Sequence, residues 1–127
     1  MDAQHGVPEA RDAARALALR HGRTVAVTGA EDYVTDGRRE AHIANGHPLM
    51  GRITGSGCMA TAVTGAFAAV EPDAFRASVS ALVVFGIAGE RAGRQATRPG
   101  SYNTALIDAL DAVTPENIRI MARVSGD

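Results

Sequence analysis

The stretch that decides the fold is residues 24–43, which read TVAVTGAEDYVTDGRREAHI. Residues 24–28 form a short run of mostly β-branched residues that ends before Gly29. This pattern is typical of a buried strand. A second β-rich run ends at Asp36-Gly37, a pair that favours a tight turn with positive φ. Residues 33–43 therefore predict a β-hairpin.

Helices are predicted on both sides of this β region, because apolar residues recur there at helical spacing. The predicted segments are Ala10 to His21, Cys58 to Val70, Ala74 to about Ala92, Ser101 or Tyr102 to about Ala112, and a further start at Thr114-Pro115. The stretch Asn45–Pro48 is interpreted as a loop. The order indicates an α/β protein with a helix-rich end, and residues 1–127, which contain no linker or repeat, are expected to form one unit.

Three glycines of the third predicted helix share one face: Gly86, Gly89 and Gly93. Each weakens a helix by about 1 kcal/mol, so their spacing requires an explanation. One explanation is close packing against a neighbouring helix or strand, which we prefer. The other is room for the ring of a ligand.

Composition excludes several kinds of chemistry. All 13 basic residues are arginine, so a Walker A loop, a Schiff-base lysine and a lysine general base are excluded. The net charge of -1 disfavours nucleic acid and acidic membranes as partners. The single cysteine, Cys58, excludes a disulfide within this sequence and a multi-cysteine zinc site. Residues 1–5 lack a signal-peptide pattern, and the apolar run 79–88 is shorter than the ~20 residues that span a bilayer, so we expect a cytoplasmic protein.

The sharpest local feature is residues 54–58, Thr-Gly-Ser-Gly-Cys, which lead directly into a predicted helix. One interpretation is an anion site built from backbone amides, with Cys58 at a helix N-terminus, where thiol pKa values tend to fall. The other is an ordinary tight turn with a buried cysteine that fills space. The residues alone leave both interpretations open.

Several motifs, in order along the chain, resemble those of hydroxyethylthiazole kinases. The similar stretches are residues 25–37 (VAVTGAEDYVTDG), 45–50 (NGHPLM), 55–60 (GSGCMA), 81–90 (ALVVFGIAGE), 99–102 (PGSY) and 106–110 (LIDAL). The resemblance runs over the chain from about residue 3, but it concerns only the C-terminal half of the family's length. It implies the C-terminal half of a ribokinase-like fold, with a short mostly parallel sheet and a hairpin packed by several helices.

The resemblance also implies a reaction and its residues. The reaction would be transfer of the γ-phosphoryl group of ATP to the hydroxyl of 4-methyl-5-(2-hydroxyethyl)thiazole, a step of thiamine salvage. By position, Thr28 would contact ATP, Gly55 would line the thiazole site, and Gly55, Ser56 and Gly57 would form the anion hole. Cys58 would be the catalytic residue, at a position where related sugar and pyrimidine kinases usually place an aspartate.

The same resemblance implies what this sequence would lack. The absent half would hold the first strands of the sheet, the main thiazole-pocket residues and the acidic ligands of Mg²⁺, so we expect no metal site here. Glu31, Asp32 and Asp36 are interpreted as solvated turn residues. Ser56 stands where threonine is common, and Arg98 where glycine is expected. The histidines are interpreted as surface or loop residues rather than metal ligands: His5, His21, His42 and His47.

Two functions are compatible with these observations. The first is a hydroxyethylthiazole kinase that uses ATP and Mg²⁺, needs the other half of the family's chain for full activity and, by resemblance, assembles as a trimer. The alternative is a truncated, catalytically silent remnant that binds nucleotide weakly or serves as an interaction partner. In either case the strand that contains Val25 would border absent elements, which predicts an unpaired sheet edge.

Overall fold

A computed structural model describes residues 3–126, with side chains from Pro8 onward. The interpretation of the first residues as lacking a signal-peptide pattern concerns in part Met1 and Asp2, which lie outside the described residues, and the side chain of His5 is not described either. The elements, in chain order, are α1 (Ala3–His21), β1 (Val25–Val27), β2 (Asp32–Thr35), β3 (Glu40–Ile43), a 3₁₀ helix (Pro48–Arg52), α2 (Ser56–Ala68), α3 (Ala74–Gln95), α4 (Pro99–Ala112), α5 (Pro115–Met121) and β4 (Val124–Ser125). Within this part of the chain, none of the helices combines the length and the apolar character needed to cross a membrane. The α/β class is confirmed.

The sheet has four strands in the order β1-β2-β3-β4, and each neighbouring pair is antiparallel. The prediction of a mostly parallel sheet is therefore wrong. For the first two pairs the cause is the length of the connections: residues 28–31 join β1 to β2 and residues 36–39 join β2 to β3. A parallel pair needs a crossover of roughly a dozen residues or more, which these connections cannot supply.

The hairpin forms at the predicted turn. Gly37 has φ +94°, and Thr35 Oγ1 accepts a hydrogen bond of 2.9 Å from its amide. A Cβ at Gly37 would also lie 2.6 Å from Leu19 Cδ2. Glycine is thus required at this position both by the backbone conformation and by the approach of α1.

The core is built around α3. Its buried apolar residues include Leu82, Phe85 and Ile87, and they pack with Tyr102 of α4 and with Val34 of β2 in one cluster. The side-chain oxygen of Asp73 caps α3 by accepting hydrogen bonds from two backbone amides of its first turn. Because α3 contacts both the sheet and the helices α2 and α4, it fixes the position of the loops between them.

The glycine face of α3, residues 86, 89 and 93, is filled by the loop that follows β3. A Cβ added at these positions would lie 2.6 Å from Asn45 Cβ, 2.3 Å from Met50 Sδ and 2.3 Å from His47 Cδ2, respectively. Real Cβ atoms do not approach neighbours this closely. Close packing is confirmed, and the neighbour is the segment 45–50, which is the loop after β3 and the start of the 3₁₀ helix, rather than a long helix or a strand.

The strand β1 is less buried than its sequence predicts. Ala26 is exposed, and Val25 and Val27 are half-buried. Within the described residues β1 pairs only with β2, so one of its edges is open. The structure thus agrees with the expected unpaired edge and corrects the expectation of a buried strand.

Candidate functional site

A cavity of about 580 Å³ opens where the loop after β1 meets the start of α2. The loop after β3 and one side of α3 complete its wall. The lining residues are Thr28, Gly29, Ala30, Asp32, Asn45, Gly46, His47, Pro48, Met50, Gly51, Ser56, Gly57, Ala60, Leu82, Phe85 and Gly86. The glycine face of α3 therefore supports one wall of this cavity through Asn45 and Met50.

The first turn of α2 presents free backbone donors at the cavity. Gly55, the N-cap, has φ +95° and offers no side-chain cap. The first helical hydrogen bond runs from the amide of Met59 to the carbonyl of Gly55, at 2.9 Å. The amides of Ser56, Gly57 and Cys58 precede it and have no partner within the helix. These donors and the positive end of the helix dipole suit an anion such as a phosphate.

The structure brings together three of the five predicted site residues. Thr28, Ser56 and Gly57 line the cavity, whereas Gly55 and Cys58 flank it without lining it. Cys58 is exposed and has a free thiol, so the interpretation as a buried, space-filling cysteine is wrong. The proposed roles of all five residues stay predictions.

Asp32 is a cavity residue that the sequence interpretation missed. Its carboxylate accepts a 3.0 Å hydrogen bond from the amide of Gly29, and the residue is only partly exposed. Burial raises the pKa of Asp32 to about 6; the Gly29 hydrogen bond opposes this shift and the charge of Glu31 adds to it. The interpretation as a solvated turn residue is therefore wrong for Asp32. The one local sequence signal for this contact is Gly29, which lies three positions before Asp32.

The other two acidic residues of the region belong to turns, as expected. Glu31 is exposed, and its Oε1 lies 3.1 Å from His42 Nδ1. Asp36 accepts hydrogen bonds from the amides of Arg39 and Arg38, and with the Arg39 guanidinium they lower its pKa to about 2. Arg39 also forms a two-bond ion pair with Asp73, so the hairpin is tied to the start of α3.

Two further residues of the cavity wall are held by specific contacts. His47 Nδ1 accepts a 3.1 Å hydrogen bond from the amide of Leu49, and its ring stacks on Tyr102 with centroids 5.6 Å apart. Asn45 is buried, and both ends of its amide are hydrogen-bonded to other parts of the chain. His47 is thus a half-buried structural residue of the predicted loop.

The described side chains, residues 8–126, include no cluster of three or more His, Cys, Asp or Glu that could hold a metal ion. The donors at the start of α2 are N–H groups, which bind anions and not cations. The site as described is therefore suited to a phosphate group.

Comparison with known proteins identifies close relatives. Residues 1–116 match the hydroxyethylthiazole kinase family. The hydroxyethylthiazole kinase of Cereibacter sphaeroides is 50% identical over 123 residues, covering 97% of this chain and 47% of that protein. The enzyme of that name from Granulibacter bethesdensis is 54% identical over 114 residues, covering 90% of this chain and 42% of its own. The structure of a hydroxyethylthiazole kinase from Pyrococcus horikoshii has a TM-score of 0.91 at 47% identity and covers 97% of this chain and 48% of its own. The chain spans about half the length of the curated relatives it matches.

Proposed function

The chain belongs to the hydroxyethylthiazole kinase family, and from that premise we propose that it takes part in ATP-dependent phosphorylation of 4-methyl-5-(2-hydroxyethyl)thiazole. The reaction is a step of thiamine salvage. Because the chain matches about half the length of its relatives, we propose that full activity also requires the remaining part of the family's chain.

One observation supports this proposal above the others. The cavity joins Thr28, at the end of β1, to the unpaired amides of Ser56 and Gly57 at the start of α2. The motifs that contain these residues are the ones that resemble the family. A nucleotide contacting Thr28 would then direct its phosphates toward the positive end of α2.

Only a few groups of the protein would take part in the proposed reaction. The thiazole's hydroxyl oxygen attacks the γ-phosphorus, a new O–P bond forms, and the bond to the β,γ-bridging oxygen breaks as ADP leaves. The amides of Gly55, Ser56 and Gly57 would stabilise the charge on the transferring phosphoryl group, which is the main contribution that proteins make to this reaction. As the thiolate, Cys58 would accept the proton of the hydroxyl; as the neutral thiol, it would hold the hydroxyl in position while the proton passes to the transferred phosphoryl group.

ATP in such reactions carries Mg²⁺, which neutralises phosphate charge when bound. The N–H donors of this site fit the phosphates, and we propose that the protein ligands of Mg²⁺ lie in the part of the family's chain that this sequence does not match. Assembly as a trimer is a proposal that rests on the resemblance alone, and a cytoplasmic location remains a proposal.

The test is turnover of hydroxyethylthiazole and Mg·ATP by this chain, alone and co-expressed with the unmatched part of the Pyrococcus horikoshii relative. We expect thiazole phosphate and ADP in equal amounts from the co-expressed pair. Ser56→Asp would place a carboxylate among the phosphate-binding amides and should reduce turnover by about 100-fold or more. Ser101→Asp is the matched control, because Ser101 is an exposed serine in the first turn of α4.

Three outcomes separate the candidate functions. An equal loss of turnover in the Ser56→Asp and Ser101→Asp variants would show that the α2 amides do not take part in the mechanism. Binding of Mg·ATP in calorimetry without turnover in either preparation would favour the silent remnant. The absence of both Mg·ATP binding and turnover would refute the proposed function.

A further inference from the structure

The side chain of Asp32 lies on the face of the sheet that meets α3. Asp32 is two residues before Val34 on β2, so both side chains project from the same face. Val34 packs with residues of α3 in the core, and Asp32 lines the cavity. The adjacent Glu31 pairs with His42 instead and is not one of the cavity residues. The two neighbouring carboxylates therefore have different surroundings.

One oxygen of the Asp32 carboxylate is free to bind a ligand. Its Oδ1 accepts the 3.0 Å hydrogen bond from the Gly29 amide, and among residues 8–126 this is the one hydrogen bond of the side chain. Within the same residues, no buried side-chain nitrogen or oxygen lacks a partner. Oδ2, which has none, is therefore accessible. The Gly29 bond fixes the carboxylate and leaves Oδ2 as an acceptor at the cavity wall.

Asp32 differs in kind from the other polar side chains of this wall. Both ends of the Asn45 amide are already bonded within the chain, and the hydroxyls of Thr28 and Ser56 can either donate or accept. An ionised carboxylate can only accept. Because its pKa is about 6, Asp32 is mainly ionised at pH 7.5. Among the described lining residues it is the one Asp, Glu or Arg.

The cavity wall thus combines three kinds of surface. The unpaired amides of Ser56 and Gly57 suit a phosphate, whereas the charge of Asp32 repels one. The apolar part is formed by four side chains: Pro48, Met50, Leu82 and Phe85. A matching ligand carries a phosphate at one end and, away from it, an apolar ring and a neutral N–H or O–H donor. A nucleotide has these parts, and a cavity of about 580 Å³ is within the range of about 300–1,000 Å³ that small-molecule sites occupy.

We propose that Asp32 is a specificity-determining residue that selects the nucleoside part of the nucleotide. Its Oδ2 accepts a hydrogen bond from a neutral donor of the nucleoside, either the exocyclic amine of adenine or a ribose hydroxyl. A nucleotide without this donor leaves the carboxylate unpaired and binds more weakly. The inference rests on the proposed function for the class of ligand, and its test measures nucleotide binding rather than turnover.

Three analogues of ATP identify the donor. The triphosphates of purine riboside, 2′-deoxyadenosine and 3′-deoxyadenosine each lack one donor of ATP, respectively the amine, the 2′-hydroxyl and the 3′-hydroxyl. Calorimetry at pH 7.5 measures binding of their magnesium complexes and of Mg·ATP, both to this chain alone and to the co-expressed preparation. We expect at least one analogue to bind the wild type tenfold or more weakly than ATP, because hydrogen bonds to an ionised group are the strong ones.

Asp32→Asn should remove this discrimination. The asparagine oxygen can still accept from Gly29, which turns the Nδ2 donor toward the donor of the ligand. We expect Mg·ATP to bind at least tenfold more weakly and to differ less than twofold from the analogue that the wild type rejects. Glu31→Gln is the matched control, because it removes the adjacent charge outside the cavity. It should leave the affinities for ATP and for the analogues unchanged.

The outcomes distinguish this inference from the proposed function. Equal binding of ATP and all three analogues by the wild type would overturn the inference, while the binding of Mg·ATP would still support the proposed function. A preference for ATP that persists in Asp32→Asn, or an equal loss of Mg·ATP affinity in Asp32→Asn and Glu31→Gln, would overturn the inference in the same way. The absence of nucleotide binding in both preparations would overturn the inference and the proposed function together.

Discussion

At Asp32 a carboxylate is held partly out of water in the wall of the cavity. Its ionised form loses hydration there, and one hydrogen bond from the Gly29 amide only partly compensates. Because the folded-state pKa is about 6, against 3.8 for a free aspartate, ionisation of Asp32 opposes folding at neutral pH. The opposition begins to decline as pH falls through 6, where the folded protein binds the proton more readily than the unfolded chain, and it is gone only below the unfolded pKa of 3.8.

Asp32→Asn should therefore stabilise the protein at pH 7.5 and not at pH 4. The amide oxygen can still accept from Gly29, while the unfavourable charge is gone. We expect a gain of ~1–2 kcal/mol in the free energy of unfolding at pH 7.5, decreasing to zero near pH 4. Urea denaturation at both pH values measures it, with exposed Asp12→Asn as the control. The same gain at both pH values would show that charge is not the cause.

At the scale of elements, the glycine face of α3 determines how near the loop after β3 can approach. A side chain at Gly86 would meet the backbone of Asn45 at 2.9 Å, where nothing flexible can yield. At Gly89 the nearest atom is the sulfur of the Met50 side chain, which can move. Gly86 and Gly89 therefore differ in how strictly they require glycine.

Gly86→Ala should destabilise the protein by ~1–3 kcal/mol, because it forces α3 and the loop apart. Gly65→Ala is the matched control: Gly65 lies within α2, and nothing is found within 4 Å of a Cβ there. The control should raise stability by up to about 1 kcal/mol through helix propensity. Thermal or urea unfolding of both variants measures these changes in stability. A Gly86→Ala variant more stable than the wild type would contradict the close packing of α3 against the loop.

Local patterns in the sequence are sufficient to predict most elements. The hairpin follows from Asp36-Gly37, and the start of α3 follows from Asp73. Strand direction is different, because it depends on connection lengths and on which strands meet, and the resemblance to a family suggested parallel strands. The two-residue strand β4 has no detectable local signal, since it is formed by pairing with β3.

For the whole molecule, Asn45 connects parts of the chain that are far apart in sequence. Its amide nitrogen donates to Glu90 at 3.0 Å and to the carbonyl of Met121 at 2.8 Å. Its oxygen accepts from the amide of Arg123 at 2.8 Å, and Arg123 also pairs with Glu90. One buried side chain thus joins the cavity wall, α3 and the segment that leads into β4.

Asn45→Ala should lower the free energy of unfolding by about 3 kcal/mol, since it leaves buried polar groups without partners. Hydrogen exchange of residues 122–126 should accelerate more than exchange of the hairpin. Exposed Gln95→Ala is expected to change neither quantity. Uniform acceleration across the chain would show a general loss of stability rather than release of this segment.

The candidate site was predictable only in part, for a physical reason. Residues 55–58 carry a local signal, because glycines before a helix free its first amides. Asn45 carries none, and Asp32 has only Gly29 three positions before it. The importance of both depends on burial, which packing with distant segments creates. A sequence pattern predicts the backbone conformation of a residue more directly than it predicts how far packing removes that residue from water.

The exposed thiol of Cys58 has a consequence for observing this molecule. It is the only thiol of the sequence, and it lies in the first turn of α2 beside the cavity. A maleimide dye therefore attaches at one known atom without any substitution elsewhere. Because the sequence contains no lysine, an amine-directed label has no side chain with which to react. The chain thus carries one natural attachment point for a spectroscopic label, placed beside the cavity.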